Sequence, residues 1–252
     1  MNLKNVPLSD RIKELLLGSL LGDGSLKISD GYVNARFSFR HSIIQKEYFE
    51  LKVAMLEDIS SDHCVFLQKA DGYSRNQKLR YQSLALPALS EMFNLTHTNG
   101  RLDIQRRWLN CMTPFSLAIW WFDDGSLIAN GRKGVFCTDG FDEKSVKILA
   151  QYLQVVWNIQ THIASIGRKR DGTQKEYWRL WIRSTEELKK FLRIILPYTL
   201  VKSMLSKVLL LYNDDHLQQR WISEVVHLTG FSKAIIEKML VEKKSKWKHF
   251  RE

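Results

Sequence analysis

Two stretches of this chain end in acid at matching places. "LLGSLLGDGSL", residues 16–26, and "LAIWWFDDGSL", residues 117–127, each drive an apolar run into an Asp-Gly-Ser triplet, at Asp23 and at Asp124. An aspartate at the carboxyl end of a helix faces the negative end of the helix dipole, which costs stability. If two such helices lie side by side, the two acids repel as well. A divalent cation removes both penalties, because two carboxylates and the last carbonyls of the helices make a hard-oxygen site. A lone triplet of this kind reads as a turn after a helix. The same arrangement on two matched helices reads as a metal site.

The elements that must carry these acids can be placed from their ends. The second helix starts at Thr113-Pro114, where Thr can cap the first amides and Pro at the first helical position forfeits no hydrogen bond. The first starts after Pro7, with Ser9 or Asp10 as cap, and stops at Gly24. Both are apolar nearly all round, which predicts burial on most sides. Gly18 and Gly22 lie four residues apart on one face, beside Ser19, and small residues so placed let another backbone approach closely. Ordinary packing against a sheet would use the same face.

The triplets are one landmark of a chain written twice. Their offset is 101 residues, and two further Asp-Gly pairs, Asp71-Gly72 and Asp171-Gly172, stand 100 apart. "HCVFLQKA" and "KLRYQSLAL" flank the first pair, "THIASIGRKR" and "EYWRLWIRS" the second. Asp-Gly between such runs predicts a hairpin. Ahead of each hairpin comes a strand and then a helix: "ARFSFRHS" with "IIQKEYFELKVAMLEDI", and "GVFCTDG" with "DEKSVKILAQYLQVVW". The order is helix, two strands, helix, two strands, helix, given twice. The fold class is α/β with antiparallel sheets, since the connections are too short for most parallel crossovers. The repeats are placed at 1–104 and 105–212, with a helical basic extension at 213–252. In that extension "LTGFSKAIIEKML" has the look of a helix-turn-helix around Gly230 or of amphipathic packing helices. Lys243, Lys244, Lys246 and Lys248 read as a solvated end.

Composition bounds the rest. The chain has 252 residues, 44% hydrophobic, enough for a packed core. Its net charge of +11 points to a polyanionic partner, nucleic acid or an acidic membrane surface. Three scattered cysteines, Cys64, Cys111 and Cys137, make neither a disulfide framework nor a zinc spacing, which points to a reducing compartment. The seven histidines form no metalloprotease motif. No apolar run approaches the ~18 residues that span a bilayer, and the amino-terminal stretch lacks a secretory cleavage site. No membrane partner is expected.

The two motifs resemble those of the LAGLIDADG homing endonucleases in their single-chain, two-repeat form. "LLGSLLGDG" (16–24) and "LAIWWFDDG" (117–125) fit the nine-residue signature with Asp23 and Asp124 at its acidic eighth place. "TPFSLAIWWFDDGS", "VFCTDGF" and "LPYTLVKSMLSKV" (196–208) extend the likeness over about residues 8–210. The departures are Ser19 in the first motif and Ile119 with Trp120 in the second.

The resemblance implies two pseudo-symmetric αββαββα repeats forming a saddle, with the motif helices paired where the repeats meet. It implies that Asp23 and Asp124 each bind Mg2+, for which Mn2+ can substitute, with the carbonyls of Gly22 and Asp123 as further ligands. A water activated by the metal attacks the scissile phosphate in line, one acid serving each strand. Alignment of the motifs places Arg101, in "NGRLDI", and Lys207, in "SMLSKV", as basic residues that steady the developing charge. The sheets would enter the major groove, with alternate strand residues facing DNA. In "SLKIS" these are Ser25, Lys27 and Ser29, opposite Leu26 and Ile28; in "ARFSFR" they are Arg36, Ser38 and Arg40, opposite Phe37 and Phe39. Around the hairpins stand Gln68, Lys69, Arg75, Lys78 and Arg80, then Arg168, Lys169, Arg170, Lys175, Arg179 and Arg183.

The function implied is a site-specific nuclease that breaks both strands of a long double-stranded DNA target, acting as a monomer. An intron-encoded maturase that binds its host RNA, and a non-catalytic DNA-binding regulator on the same fold, are the alternatives. Both acids being present favours cleavage over the regulator. The expected setting is an organelle, mitochondrion or chloroplast, or a prokaryotic cytoplasm.

Overall fold

Helix α1 (Asp10–Leu20) opens on Ser9, whose hydroxyl accepts from the Ile12 amide at 3.3 Å. From there the chain continues through β1 (Gly24–Lys27), β2 (Arg36–Ser42), α2 (Lys46–Met55), β3 (Val65–Gln68), β4 (Lys78–Gln82) and α3 (Pro87–Thr96). A two-residue ribbon, β5 (His97–Thr98) with β6 (Arg101–Leu102), and the short α4 (Arg106–Leu109) lead into α5 (Pro114–Asp124). The same order then recurs: β7 (Gly125–Ile128), β8 (Lys133–Phe136), α6 (Glu143–Trp157), β9 (His162–Arg170), β10 (Thr173–Ile182) and α7 (Thr185–Ile195). Two helices close the chain, α8 (Asp215–Thr229) and α9 (Lys233–Ser245). This computed structural model describes residues 7–69, 76–129, 131–170 and 173–246. The Asp-Gly pairs 71–72 and 171–172 expected at the hairpin tips lie outside them. The chain divides into two compact units, Met1–Asp123 and Asp124–Glu252.

Each unit holds a four-stranded antiparallel sheet with the same strand order, β1-β2-β4-β3 in the first and β7-β8-β10-β9 in the second. The register repeats too: Gly24 stands opposite Phe39, and Gly125 opposite Phe136. The fold is thus mixed α/β with antiparallel sheets, as the repeated pattern predicts. In the first unit Phe37, Phe39 and Tyr81 are buried together, and Phe39 stands 5.1 Å from both Tyr81 and Phe49 of α2. In the second, Phe136 meets Phe191 of α7 edge-on at 5.4 Å, and Leu149 and Leu153 of α6 are buried. One alternation fails. Ile28 is 42% exposed, because β1 ends at Lys27 and the ladder no longer fixes its side.

Within the first unit α1 and α5 lie in close contact. A Cβ on Gly18 would stand 2.3 Å from the Ser116 carbonyl and 2.9 Å from Ile119 Cβ, and one on Gly22 2.4 Å from Asp123 Cβ. Only glycine fits at either place. The bulk of Ile119 is therefore absorbed by the missing side chain opposite it. Ser116 adds a hydrogen bond across the pair, its hydroxyl donating to the Glu14 carbonyl at 2.9 Å. At the head of α5 Thr113 Oγ1 accepts from the Ser116 amide and Ser116 Oγ from the Thr113 amide, a reciprocal cap.

The extension forms two helices of 15 and 13 residues joined at Gly230, and both bury a face: Trp221, Ile222 and Val225 on α8, Ile236 and Leu240 on α9. Of the lysines read as a solvated end, Lys243 is buried. Its place in α9 turns it inward, one helical turn beyond Leu240 and Met239. Lys248 lies outside the described residues.

Candidate active site and nucleic-acid interface

Asp23 follows the last turn of α1, its side chain 38% exposed. Behind it lies a buried ionic network. Lys52 reaches from α2 with no solvent exposure and places Nζ 3.0 and 2.9 Å from the two oxygens of Asp123. The Tyr48 hydroxyl donates to Asp123 Oδ1 at 2.9 Å, and the Asp23 amide to Asp123 Oδ2 at 3.3 Å. Burial, and then the charge of Asp123, hold the Tyr48 phenol well above its ordinary pKa, so it stays a donor. His41, on the inward face of β2, puts Nδ1 3.3 Å from Asp23 Oδ2 and Nε2 3.9 Å from Asp123 Oδ1, neither aligned as a hydrogen bond.

Asp23, His41 and Asp123 have ligand atoms all within 4.8 Å of one another, the spacing of a metal site. Their environments differ. A carboxylate has about four lone-pair positions, and the two Lys52 contacts, the Tyr48 hydroxyl and the Asp23 amide occupy those of Asp123. Its side chain is committed to neutralising a buried lysine and anchoring the backbone of Asp23. The partly exposed Asp23 carboxylate is the group of the three that fits an incoming hard cation.

The second acid has other company. The Asp124 carbonyl accepts from the Cys137 amide at 3.0 Å, which fixes the junction of α5 and β7 against the end of β8. Opposite Cys137, Arg179 binds both oxygens of Asp139, at 2.5 and 2.6 Å. Burial raises the Cys137 thiol, Arg179 opposes this, Asp124 and Asp139 add to it, and Lys207 lowers it. The charges of Asp124 and Lys207 thus reach the same thiol. Lys207 ends a six-residue 3-10 turn, Lys202–Lys207, and is half-buried. Arg101 opens β6 and is exposed, opposite Thr98 across an Asn99-Gly100 turn with both residues at positive φ.

Of the proposed DNA-contacting residues of the first unit, those within strands fall on one sheet face by register. Ser25 pairs with Ser38 and Lys27 with Arg36. Arg40 pairs with Arg80, and Gln68 with Lys78. Lys27, Ser29, Arg40 and Lys69 are exposed; Arg75 lies outside the described residues. Phe66, paired with Arg80 and 48% exposed, shares that face and was not read from the sequence. In the second unit Arg168, Lys169 and Arg170 lie on β9, their side chains beyond what is described. Lys175 and Arg183 are exposed, whereas Arg179 is occupied by Asp139.

Sequence reading also missed Lys52, His41 and the side chain of Asp123. The signals were present: His41 alternates with Phe37 and Phe39 onto the core face, and Lys52 follows Tyr48 and Phe49 at helical spacing. A lysine on an apolar stripe demands a buried acid.

The model of the LAGLIDADG DNA endonuclease family matches residues 13–191, a span that holds both acids. Among curated relatives, a protein named RecA from Mycobacterium gastri is 28% identical over 206 residues, 76% of this chain and 45% of that protein. A cytochrome b mRNA maturase, bI2, from Debaryomyces hansenii is 26% identical over 167 residues, 65% of this chain and 63% of its own. The chain spans about half the length of the RecA relatives it matches. Of solved structures, the homing endonuclease I-WcaI bound to its DNA recognition sequence superposes with a TM-score of 0.68 at 22% identity. That match covers 82% of this chain and 90% of the other, a likeness of fold.

Proposed function

The chain belongs to the LAGLIDADG DNA endonuclease family, and from that premise we propose that it is a site-specific homing endonuclease making double-strand breaks by metal-dependent hydrolysis. The observation that carries this reading is Asp23, a partly exposed carboxylate at a helix end, backed by an amide anchored on Asp123. Asp124 is the last residue of the second motif helix.

In this reading Asp23 and Asp124 each hold a divalent cation, Mg2+ or a substitute such as Mn2+, assisted by the carbonyls of Gly22 and Asp123. When bound, the metal supplies an activated water and neutralises charge on the leaving oxygen. Lys52 and Tyr48 keep the Asp123 carboxylate fixed, and Asp123 in turn fixes the backbone from which Asp23 projects. Arg101 and Lys207 contribute positive charge beside the reacting phosphate. Arg101 stays protonated, so it can stabilise charge but cannot accept a proton. The polar face of β1, β2 and β4 and the strands of the second sheet take the DNA, phosphate contacts giving affinity and base contacts giving sequence. With two repeats in one chain, a monomer suffices.

Asp23→Asn and Asp124→Asn are each expected to abolish double-strand cleavage while DNA binding persists. Parallel loss of binding and cleavage would make the acids structural. A maturase reading has support of its own, since two relatives carry the name cytochrome b mRNA maturase bI2. Splicing of the host intron with and without the protein tests it.

A further inference from the structure

Past Lys207 the chain is buried without being regular. Val208, Leu209, Leu210 and Leu211 are shut off from solvent yet lie in neither strand nor α-helix. Buried backbone groups must find partners, and here side chains of α8 and α9 provide them. Lys243 Nζ donates to the carbonyl of Ser206 at 2.6 Å and to that of Leu209 at 2.7 Å. Trp221 Nε1 donates to the Val208 carbonyl at 3.2 Å. Gln218 donates through Nε2 to the Leu210 carbonyl at 3.1 Å and accepts through Oε1 from the Tyr212 amide at 2.9 Å.

All three side chains are buried, and Lys243 bridges the residue before Lys207 to the second residue after it. We propose that the carboxyl-terminal helix pair is a clamp that positions Lys207 for cleavage, with Lys243 as its principal positioning residue. The inference rests on the nuclease reading and gives the extension a task within it.

Three further observations place the clamp. A cleft of about 260 Å3 is lined by Lys207, by Ser126 and Leu127 of β7, and by Met239 and Lys243 of α9. β7 begins at the residue after Asp124, so the clamp meets the strand that leaves the second acid. The matched family span ends at residue 191, short of the turn and of both helices. Burial pushes the Lys243 ammonium down to about 7. A neutral amine still has the two N–H groups that these bonds need, so the clamp survives loss of the proton.

The test is strand-resolved, single-turnover cleavage by the full chain with magnesium, beside a DNA-binding titration. Lys243→Met keeps the apolar stem and removes the donors. It should slow the strand that Lys207→Ala slows by about 10- to 100-fold, so that nicked duplex accumulates while Kd is unchanged. The double variant should be no slower than Lys207→Ala alone, because the two changes remove one effect. Should Lys243→Met fail to fold, Trp221→Phe, which loses the indole N–H and keeps a smaller aromatic ring, should give the same strand bias at about threefold. Equal slowing of both strands, or additivity with Lys207→Ala, would overturn the clamp and leave the nuclease reading standing. A wild-type protein that cuts neither strand would overturn the reading, and the clamp with it.

Discussion

The two acids end matched helices, yet the protein supports them by different means. Asp23 is backed by an ionic network wholly out of water, in which Lys52, Asp123 and Tyr48 satisfy one another and hold its amide. Asp124 is backed by a strand contact to Cys137, with the Arg179–Asp139 pair beyond it, partly open to solvent. The basic residues differ in the reverse sense. Arg101 stands exposed on a two-residue ribbon, whereas Lys207 sits on a turn whose backbone two extra helices secure. Duplicated sequence therefore preserves the acids and their register, while the groups that fix them follow each unit's local packing.

The sharpest way to break the comparison is Lys52→Met. It leaves Asp123 buried without its cation, and unpaired charge of that kind costs about 3–5 kcal/mol. Urea denaturation should show the loss, and the further change Asp123→Asn should recover much of it. Next comes Gly22→Ala, whose new Cβ would fall 2.4 Å from Asp123 Cβ. Forcing α1 away should cost about 1–3 kcal/mol and lower cleavage beyond the stability loss, because Asp23 moves with the helix end. Tyr48→Phe removes one hydrogen bond to a charged group, about 1.5–2 kcal/mol by the same measurement. The smallest effect is expected in the second unit. Asp139→Ala breaks a pair whose partners keep 12% and 27% of their side-chain exposure, and should cost about 1 kcal/mol. A loss at Asp139 equal to that at Lys52 would erase the contrast between the two units.

Much of this was legible because it depends on local rules. Apolar runs, caps at Ser9 and Thr113, and period-two strands such as "RFSFR" fix helices and faces without knowledge of what packs where. Two matched triplets marked the acids. The rest turns on partners distant in sequence. The stripe around Lys52 calls for a buried acid without saying that it is Asp123, 71 residues on, and nothing near Lys243 announces the carbonyls of Ser206 and Leu209. A basic run at the end of a chain reads as solvated until the carbonyls it serves are known. The β5–β6 ribbon is the exception: Asn99-Gly100, with both residues at positive φ, is a strong local turn signal.

If lysines and arginines on the sheet faces take the DNA as proposed, binding should weaken steeply as salt rises, because they would displace counterions from phosphate. That measurement probes the interface and leaves the chemistry aside. The chemistry is tested most directly by locating the metal, through anomalous scattering from crystals of the protein with bound DNA, soaked in Mn2+. Peaks are expected against the carboxylates of Asp23 and Asp124, each lost in the matching asparagine variant. Manganese seated instead between Asp123 and Lys52, or bound at neither motif aspartate, would contradict it.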